Sequence, residues 1–409
     1  MNVLFLDAYY EPEQIAFTHL EKDLIEGLIS CGHTVNIVCP VPTRGIDQQT
    51  AKKYSKIKHQ SRYKGKVKVT RFWAPQEGKN PLIRAFRYFW CNLRTYQIAL
   101  RVKNVDVVFA NSTPPTQGWI AGMVAKKLNV PFIYSLQDIF PDSLVTTGLT
   151  KKGSLLWKIG RILEDATYKG CSRIIVISEA MKENLLQKKV KKDKIQVISN
   201  WIDLDMIKPV FKESNKLFDE FGISRDKFIV LYAGNFGAAQ GAEIVLDAAE
   251  MLEYDKTIQF VIFGGGAGYA DAEERAKSLS NVFIHPLLPQ NRVSEVYSMG
   301  DVALITCKKG VGKSGMPSKT WSIMACDTPI IACFDNESEM EKILDLSRGG
   351  VCIGPENSDE LIKSILSFYS EKNKKIYNTR EYLVKHFSKQ ICVSQYLEEM
   401  RKTIENTND

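Results

Sequence analysis

The sequence predicts an α/β protein made of two Rossmann-like domains. Three observations carry this. Short apolar, β-branched runs alternate with amphipathic helical patterns along the chain. The alternation occurs as two series of about two hundred residues each, a usual size for domains with their own cores. Glycine-rich turns directly follow several of the predicted strands, as in doubly wound nucleotide-binding folds.

The first series opens with NVLFLDA, a strand and its exit, which has no basic lead and reads as no signal peptide. The helical HLEKDLIEGLISCG and the strand TVNIVCP follow. VDVVFANS, PFIYSLQD and SRIIVISE then each precede a segment of helical character. The second series runs from KFIVLYAGNFG through IQFVIFGGG, NVFIHPL and DVALITC to TPIIACF. The join falls within KIQVISNWIDLDMIKPV, where a strand gives way to Asn200, Asp203 and Pro209. This sets domains at 1–198 and 199–389. The last segment, about 390–409, reads as a helix returning to the first domain.

Composition fits a globular protein with 409 residues, 44% hydrophobic and 25% charged, and no apolar run long enough to span a bilayer. Nine scattered cysteines without a C-x-x-C pair read as buried thiols in a reducing cytosol. Five dispersed histidines give no metal-ligand spacing, so no metal is expected.

Charge is uneven. Between Ala51 and Lys103 there are fifteen Lys or Arg against one acid, Glu77. With a total of +8, this leaves the rest of the chain at −6. Within it, Leu82, Ile83, Phe86, Phe89, Trp90 and Leu93 recur at helical spacing, interleaved with Arg84, Arg87 and Arg94. An amphipathic, aromatic and basic helix suits an anionic membrane surface, and Arg84, Arg87, Phe89, Trp90 and Arg94 are its candidate contacts. A helix that buries its aromatic face in the core is the structural alternative. Nucleic acid is a third partner, but no nucleic-acid motif accompanies the charge.

The most informative stretch is KKGVGKSGMPSKTWSIMACDTPIIA, residues 308 to 332. Gly310, Gly312 and Gly315 let backbone amides approach a ligand. Met316 and Pro317 are expected to open a helix whose start favours an anion. Ser318 and Lys319 add a hydroxyl and a mobile positive charge. Upstream, Gly234, Gly237 and Gly241 form a plausible phosphate cradle, though not a G-x-G-x-x-G signature. Gly264 and Gly265 lie in a second glycine turn. Ordinary tight turns explain either glycine group equally well.

In order along the chain stand Y-Y-x-P-E at Tyr9 to Glu13, G-H-x-V at Gly32 to Val35, QDIFPD at 137–142 and VISNWID at 197–203. AGNFGAAQG, FGGG and the PSK…MACDTPIIA block complete the series. Over essentially its whole length the chain resembles the retaining glycosyltransferases of family 4. Its closest likeness is to bacterial enzymes of O-antigen, capsule and exopolysaccharide synthesis, including the fucosamine-transferase type. The resemblance implies the GT-B fold, in which two Rossmann-like domains face a central cleft. The C-terminal domain would bind a nucleotide-sugar, by default a UDP-sugar, and the N-terminal domain an acceptor, with no cofactor and no metal.

Carried over by position, Gly234, Asn235, Gly237, Gln240 and Gly241 would hold the donor diphosphate. Ser314, Gly315, Met316, Pro317, Ser318 and Lys319 would meet the phosphate and donor sugar. Gly264, Gly265, His285, Leu287, Leu288 and Ser322 would lie near the nucleoside. Glu13, Gln14, Ile15, Phe17 and Gln137 fall on the acceptor side, and Asp138 could meet a sugar hydroxyl or cap a turn beside Pro141. The chain departs from the family in two ways. Asn235 and Gln240 replace an Arg and a Lys, and Ser314 and Ser322 replace two glutamates. Lys319 is therefore the candidate for the missing phosphate charge and, with Asp138, for the catalytic set.

The resemblance implies transfer with retention, in which the donor phosphate itself takes the acceptor's proton. The expected acceptor is a polyprenyl-diphosphate-linked glycan at the inner face of the cytoplasmic membrane, with the protein peripheral there. A noncatalytic GT-B protein supporting a partner transferase is the first alternative, given the lost glutamates. A sugar-nucleotide epimerase is the second.

Overall fold

The computed structural model describes residues 1–13, 17–76, 81–146, 149–312, 316–371 and 376–408, in two compact units. The first comprises Met1–Asn200 together with Gln390–Asp409, and the second Trp201–Lys389.

The first unit is built on an eight-stranded sheet. In chain order its strands are β1 (Asn2–Leu6), β2 (Thr34–Pro40), β3 (His59–Arg62), β4 (Val67–Phe72), β5 (Val107–Asn111), β6 (Phe132–Leu136), β7 (Arg173–Val176) and β8 (Ile195–Val197). The spatial order is β3-β4-β2-β1-β5-β6-β7-β8, parallel except for β3 against β4. β1, β5 and β6 are buried almost throughout, which is why they read as continuous apolar runs without alternation. The terminal helix Lys389–Asn408 packs on this sheet. Its Tyr396 hydroxyl lies 3.2 Å from Ser135 Oγ, and its ring meets Phe109 edge-on.

Helices Pro81–Ala99, Thr116–Leu128 and Leu155–Gly170 line the other sheet face. The first two touch where Thr116 donates to Asn92 Oδ1 at 3.3 Å. The second and third approach closely because glycines face the contact. A methyl group at Gly118 would lie 2.5 Å from Thr167 Cγ2.

The second unit carries a six-stranded parallel sheet of β9 (Phe228–Asn235), β10 (Ile258–Gly265), β11 (Val282–Pro286), β12 (Val302–Thr306), β13 (Ile330–Cys333) and β14 (Gly350–Ile353). Its order is β11-β10-β9-β12-β13-β14. Helices cover both faces, so each face has its own apolar core. In both sheets the chain order reverses once beside the first strand, between β1 and β5 and between β9 and β12. Doubly wound folds bind their ligands outside the strand ends at such a reversal. Among the described residues, no helix is long and apolar enough to cross a membrane.

The Pro81–Ala99 helix differs from the expectation at Arg87 and in part at Trp90, which packs against the core and donates from its indole to the Trp73 carbonyl at 2.8 Å. Arg87 is buried, 2% exposed, and its guanidinium donates to the Pro75 carbonyl, so it anchors the helix and cannot touch a membrane. Phe89 is 66% exposed, Phe86 56% and Ile83 46%, which leaves an aromatic face toward solvent. Arg84 is exposed, and Trp90 and Arg94 are half-buried.

Candidate active site

The reversal in the second unit gathers the informative residues. β9 ends in Gly234 and Asn235, and β12 ends beside it at Thr306. The helix Lys319–Ala325 starts here and delivers Lys319 to the strand end. Lys319 Nζ donates to the Ala233 carbonyl at 3.3 Å and stands 4.5 Å from the centre of the Tyr232 ring. A Cβ at Gly234 would lie 2.7 Å from that nitrogen, so glycine here makes room for the ammonium. The surrounding protein removes water from the half-buried side chain and pushes its pKa down to about 8. The helix begins two residues later than the sequence implied. Pro317 stands before it, and its carbonyl accepts from Thr320 N at 3.0 Å.

Two loops are laced together around this point. Lys308 N donates to Ala239 O at 3.0 Å. Gly241 has φ +56°, and a Cβ there would lie 3.2 Å from the Cys307 carbonyl. Gln240 folds back so that its Oε1 occupies the space beside Gly237.

Asp335 escaped the sequence reading. Nearly buried just after β13, its carboxylate accepts from Gly310 N at 2.9 Å and Gly312 N at 2.8 Å. The only available signal was a lone acid following a buried strand. Asp335 orders the loop that leads toward Lys319. Asp335→Ala is expected to cost about 2 kcal/mol of stability, because two loop amides lose a charged acceptor, and to weaken any nucleotide binding at this loop about tenfold. Titration of UDP and thermal unfolding check the two effects. Unchanged values of both would remove the role.

A third corner forms where β10 meets β9 and β11. Leu287 N donates to Gly264 O at 2.9 Å, and Phe236 N to Gly265 O at 2.7 Å. A Cβ at Gly264 would meet the Tyr269 ring at 2.6 Å. One at Gly265 would lie 3.1 Å from Leu287 Cδ1 and 3.7 Å from Asn235 Oδ1, so these residues share one exposed corner. His285 does not join it. Its ring stacks on Phe221 with centroids 4.1 Å apart, its Nε2 is buried, and burial pushes its pKa down, so it is a neutral packing residue. Leu288 and Met316 also pack against the core. Ser322 is half-buried one turn beyond Lys319, and Ser318 is exposed. Ser314 and Gly315 lie outside the described residues.

In the first unit, Glu13 must be corrected. It is 1% exposed, and its carboxylate accepts from the amides of Thr43 (2.7 Å), Arg44 (2.8 Å) and Tyr10 (3.3 Å). It ties two loops together and presents nothing to an acceptor. Gln137 is also internally engaged. Its Oε1 accepts from Asn200 Nδ2 at 2.9 Å, and its Nε2 donates to Ser135 Oγ at 3.2 Å. Asp138 is exposed just past the end of β6, and Phe17 is half-buried before the helix Thr18–Ser30. Gln14 and Ile15 lie outside the described residues.

The reversal between β1 and β5 holds a feature the sequence did not disclose. Asp7 and Glu21 are both buried there, 2% and 5% exposed, and Asn111 Nδ2 donates to Glu21 Oε2 at 3.1 Å. Burial pushes both carboxyls up, Asp7 to about 7 and Glu21 well above its usual range. Two ionised carboxylates cannot hydrogen-bond each other, and a proton on either one lets it donate to its neighbour.

Two doubly wound units, one of them with a cation and glycine loops at its strand reversal, form an architecture that binds ligands at the strand ends. The family model described as Glycosyltransferase Family 4 matches residues 22–206, and that described as Glycosyl transferases group 1 matches 213–387. Probable glycosyltransferase WbjE of Pseudomonas aeruginosa is 28% identical, over 67% of this chain and 69% of that protein. Putative colanic acid biosynthesis glycosyl transferase WcaI of Escherichia coli K12 is 24% identical, over 98% of this chain and all of that one. Among solved structures, Anabaena HepE in complex with UDP superposes with a TM-score of 0.70 at 16% identity, covering 98% of this chain and 100% of that chain. The chain belongs to the family 4 glycosyltransferases and has the GT-B fold.

Proposed function

We propose that the protein is a retaining glycosyltransferase that moves a sugar from a UDP-sugar to a polyprenyl-diphosphate-linked glycan during bacterial surface polysaccharide synthesis. The observation that carries the reading is the Lys319 ammonium, held at the end of β9 on the Ala233 carbonyl and beside Gly234. Among the described residues no carboxylate pairs with this ammonium, and a nucleoside diphosphate would bring one anion to it. The HepE complexes with UDP and UDP-glucose support the donor class, and the name of WcaI supports the pathway class.

In this reading Gly234, Asn235, Gly237, Gln240 and Gly241 line the diphosphate, and Asn235, Gly265 and Leu287 border the nucleoside. The acceptor hydroxyl attacks on the face the diphosphate leaves, and a phosphate oxygen accepts its proton. Lys319 stabilises the charge that grows on the leaving group, so no side-chain nucleophile or metal is invoked. Asp138 is our candidate for meeting a sugar hydroxyl. The exposed Ile83, Phe86 and Phe89 on the Pro81–Ala99 helix, with Arg84, Trp90 and Arg94, rest on the inner face of the cytoplasmic membrane, where a lipid-linked acceptor resides.

The test is calorimetric titration with UDP, GDP, ADP and dTDP in the presence of EDTA. Saturable binding of UDP alone is expected. Preference for another base would replace the donor class, and binding restored only by a divalent ion would end the metal-independent reading.

A further inference from the structure

The exposed apolar surface of the first unit extends well beyond the Pro81–Ala99 helix. On the neighbouring Thr116–Leu128 helix, Trp119 and Met123 are 42% and 40% exposed, one turn apart. On the next helix, Leu155–Gly170, Leu155 is 76% exposed, Leu156 52%, Ile159 55% and Ile162 71%, with Leu149 at 73% just before it. The opposite side of that helix is filled by Gly160, Glu164, Thr167 and Tyr168, so the apolar stripe is not needed for the core.

Charge selects the occupant. The three helices contain eight Lys or Arg and two acids, Glu164 and Asp165. Both acids are neutralised within the fold. Arg161 pairs with each of them, and Lys188 reaches Glu164 at 2.8 Å. Lys126, Lys127, Lys151, Lys152 and Lys158 stand exposed around the apolar residues. Large aliphatic and aromatic side chains ringed by cations complement a bilayer containing anionic lipid, with the apolar groups entering the acyl boundary and the lysines meeting headgroups.

We infer that the three helices form one membrane-docking face, and that the Leu155–Gly170 helix is a second insertion element alongside Pro81–Ala99. The inference rests on the membrane reading above and assigns it a wider footprint. The occupant is a lipid surface, not a second copy of the chain, because two like-charged faces repel.

The experiment is co-sedimentation of the full chain with vesicles of phosphatidylcholine, or of phosphatidylcholine with about one third phosphatidylglycerol. It compares the wild type, Ile159→Glu/Ile162→Glu and Phe86→Glu/Phe89→Glu. All four positions are more than half exposed, so the fold should tolerate the changes, and circular dichroism melting checks this. The wild type is expected to bind the anionic vesicles, with each double variant lowering its partition by about tenfold. Wild-type-like binding of Ile159→Glu/Ile162→Glu, with loss only in the Phe86/Phe89 variant, would overturn the second element and leave the membrane reading standing. No wild-type binding to either vesicle would overturn both. A wild-type dimer in sedimentation velocity that Ile159→Glu/Ile162→Glu converts to monomer would assign the stripe to self-association instead.

Discussion

Lys319→Ala is expected to weaken UDP binding by about 10–100-fold, the value of one charge-assisted contact to a phosphate. Its pH signature separates a direct contact from general disruption. Burial holds the ammonium at about 8, so above that pH a growing share of the protein must take up a proton to bind a diphosphate. Wild-type affinity should therefore fall by about tenfold per pH unit above pH 8, whereas that of Lys319→Ala should stay flat. The same residue is a liability to folding. A lysine whose folded pKa lies below its unfolded value destabilises the protein while charged. The cost is full below pH 8 and vanishes as pH rises toward the unfolded pKa. Lys319→Met should accordingly raise the thermal stability of the free protein at pH 7, by on the order of 2 kcal/mol, while abolishing the pH-dependent binding. A variant that lost both stability and binding would mark Lys319 as a packing residue.

Asp7→Asn should stabilise the protein strongly at alkaline pH and little in acid. The folded pKa of Asp7 is raised, so the protonated form is the stable one. The contribution is present below the unfolded value of 3.8 and is lost as pH rises through about 7. The wild type at pH 8 thus carries the full penalty of a buried, unpaired charge, on the order of 3–4 kcal/mol. An asparagine amide offers a donor to Glu21 at every pH. Denaturant unfolding at pH 4 and pH 8 would show the variant and wild type converging in acid and separating in base. A constant difference between them would mean the pair does not share a proton.

The fold class was readable because strands buried on both faces leave continuous apolar runs, as in FIVLYA before Gly234, which neither loops nor amphipathic helices imitate. The position of Lys319 was partly readable, since glycines and a lysine after a strand advertise backbone approach and charge. Side-chain direction was not readable, because it depends on tertiary contacts. Arg87 looked like its arginine neighbours but points inward to the Pro75 carbonyl. The resemblance gave Glu13 to the acceptor side and His285 to the nucleoside, whereas in the fold Glu13 satisfies three amides and His285 packs on Phe221. Asp335 and the Asp7–Glu21 pair were invisible because their partners lie 23 or more residues away for Asp335 and 90 for the Glu21–Asn111 contact.

The first unit is discontinuous, and this bears on how the chain is made. Residues 201–389 form a self-contained sheet that can close as soon as they leave the ribosome. The first two hundred residues emerge earlier but lack Val393, Tyr396, Leu397 and Met400, which are almost completely buried on that unit. Until the last helix arrives, Phe109 and the small Gly27 have no cover, and the nascent first unit waits with apolar surface open. The segment synthesised first is thus completed last.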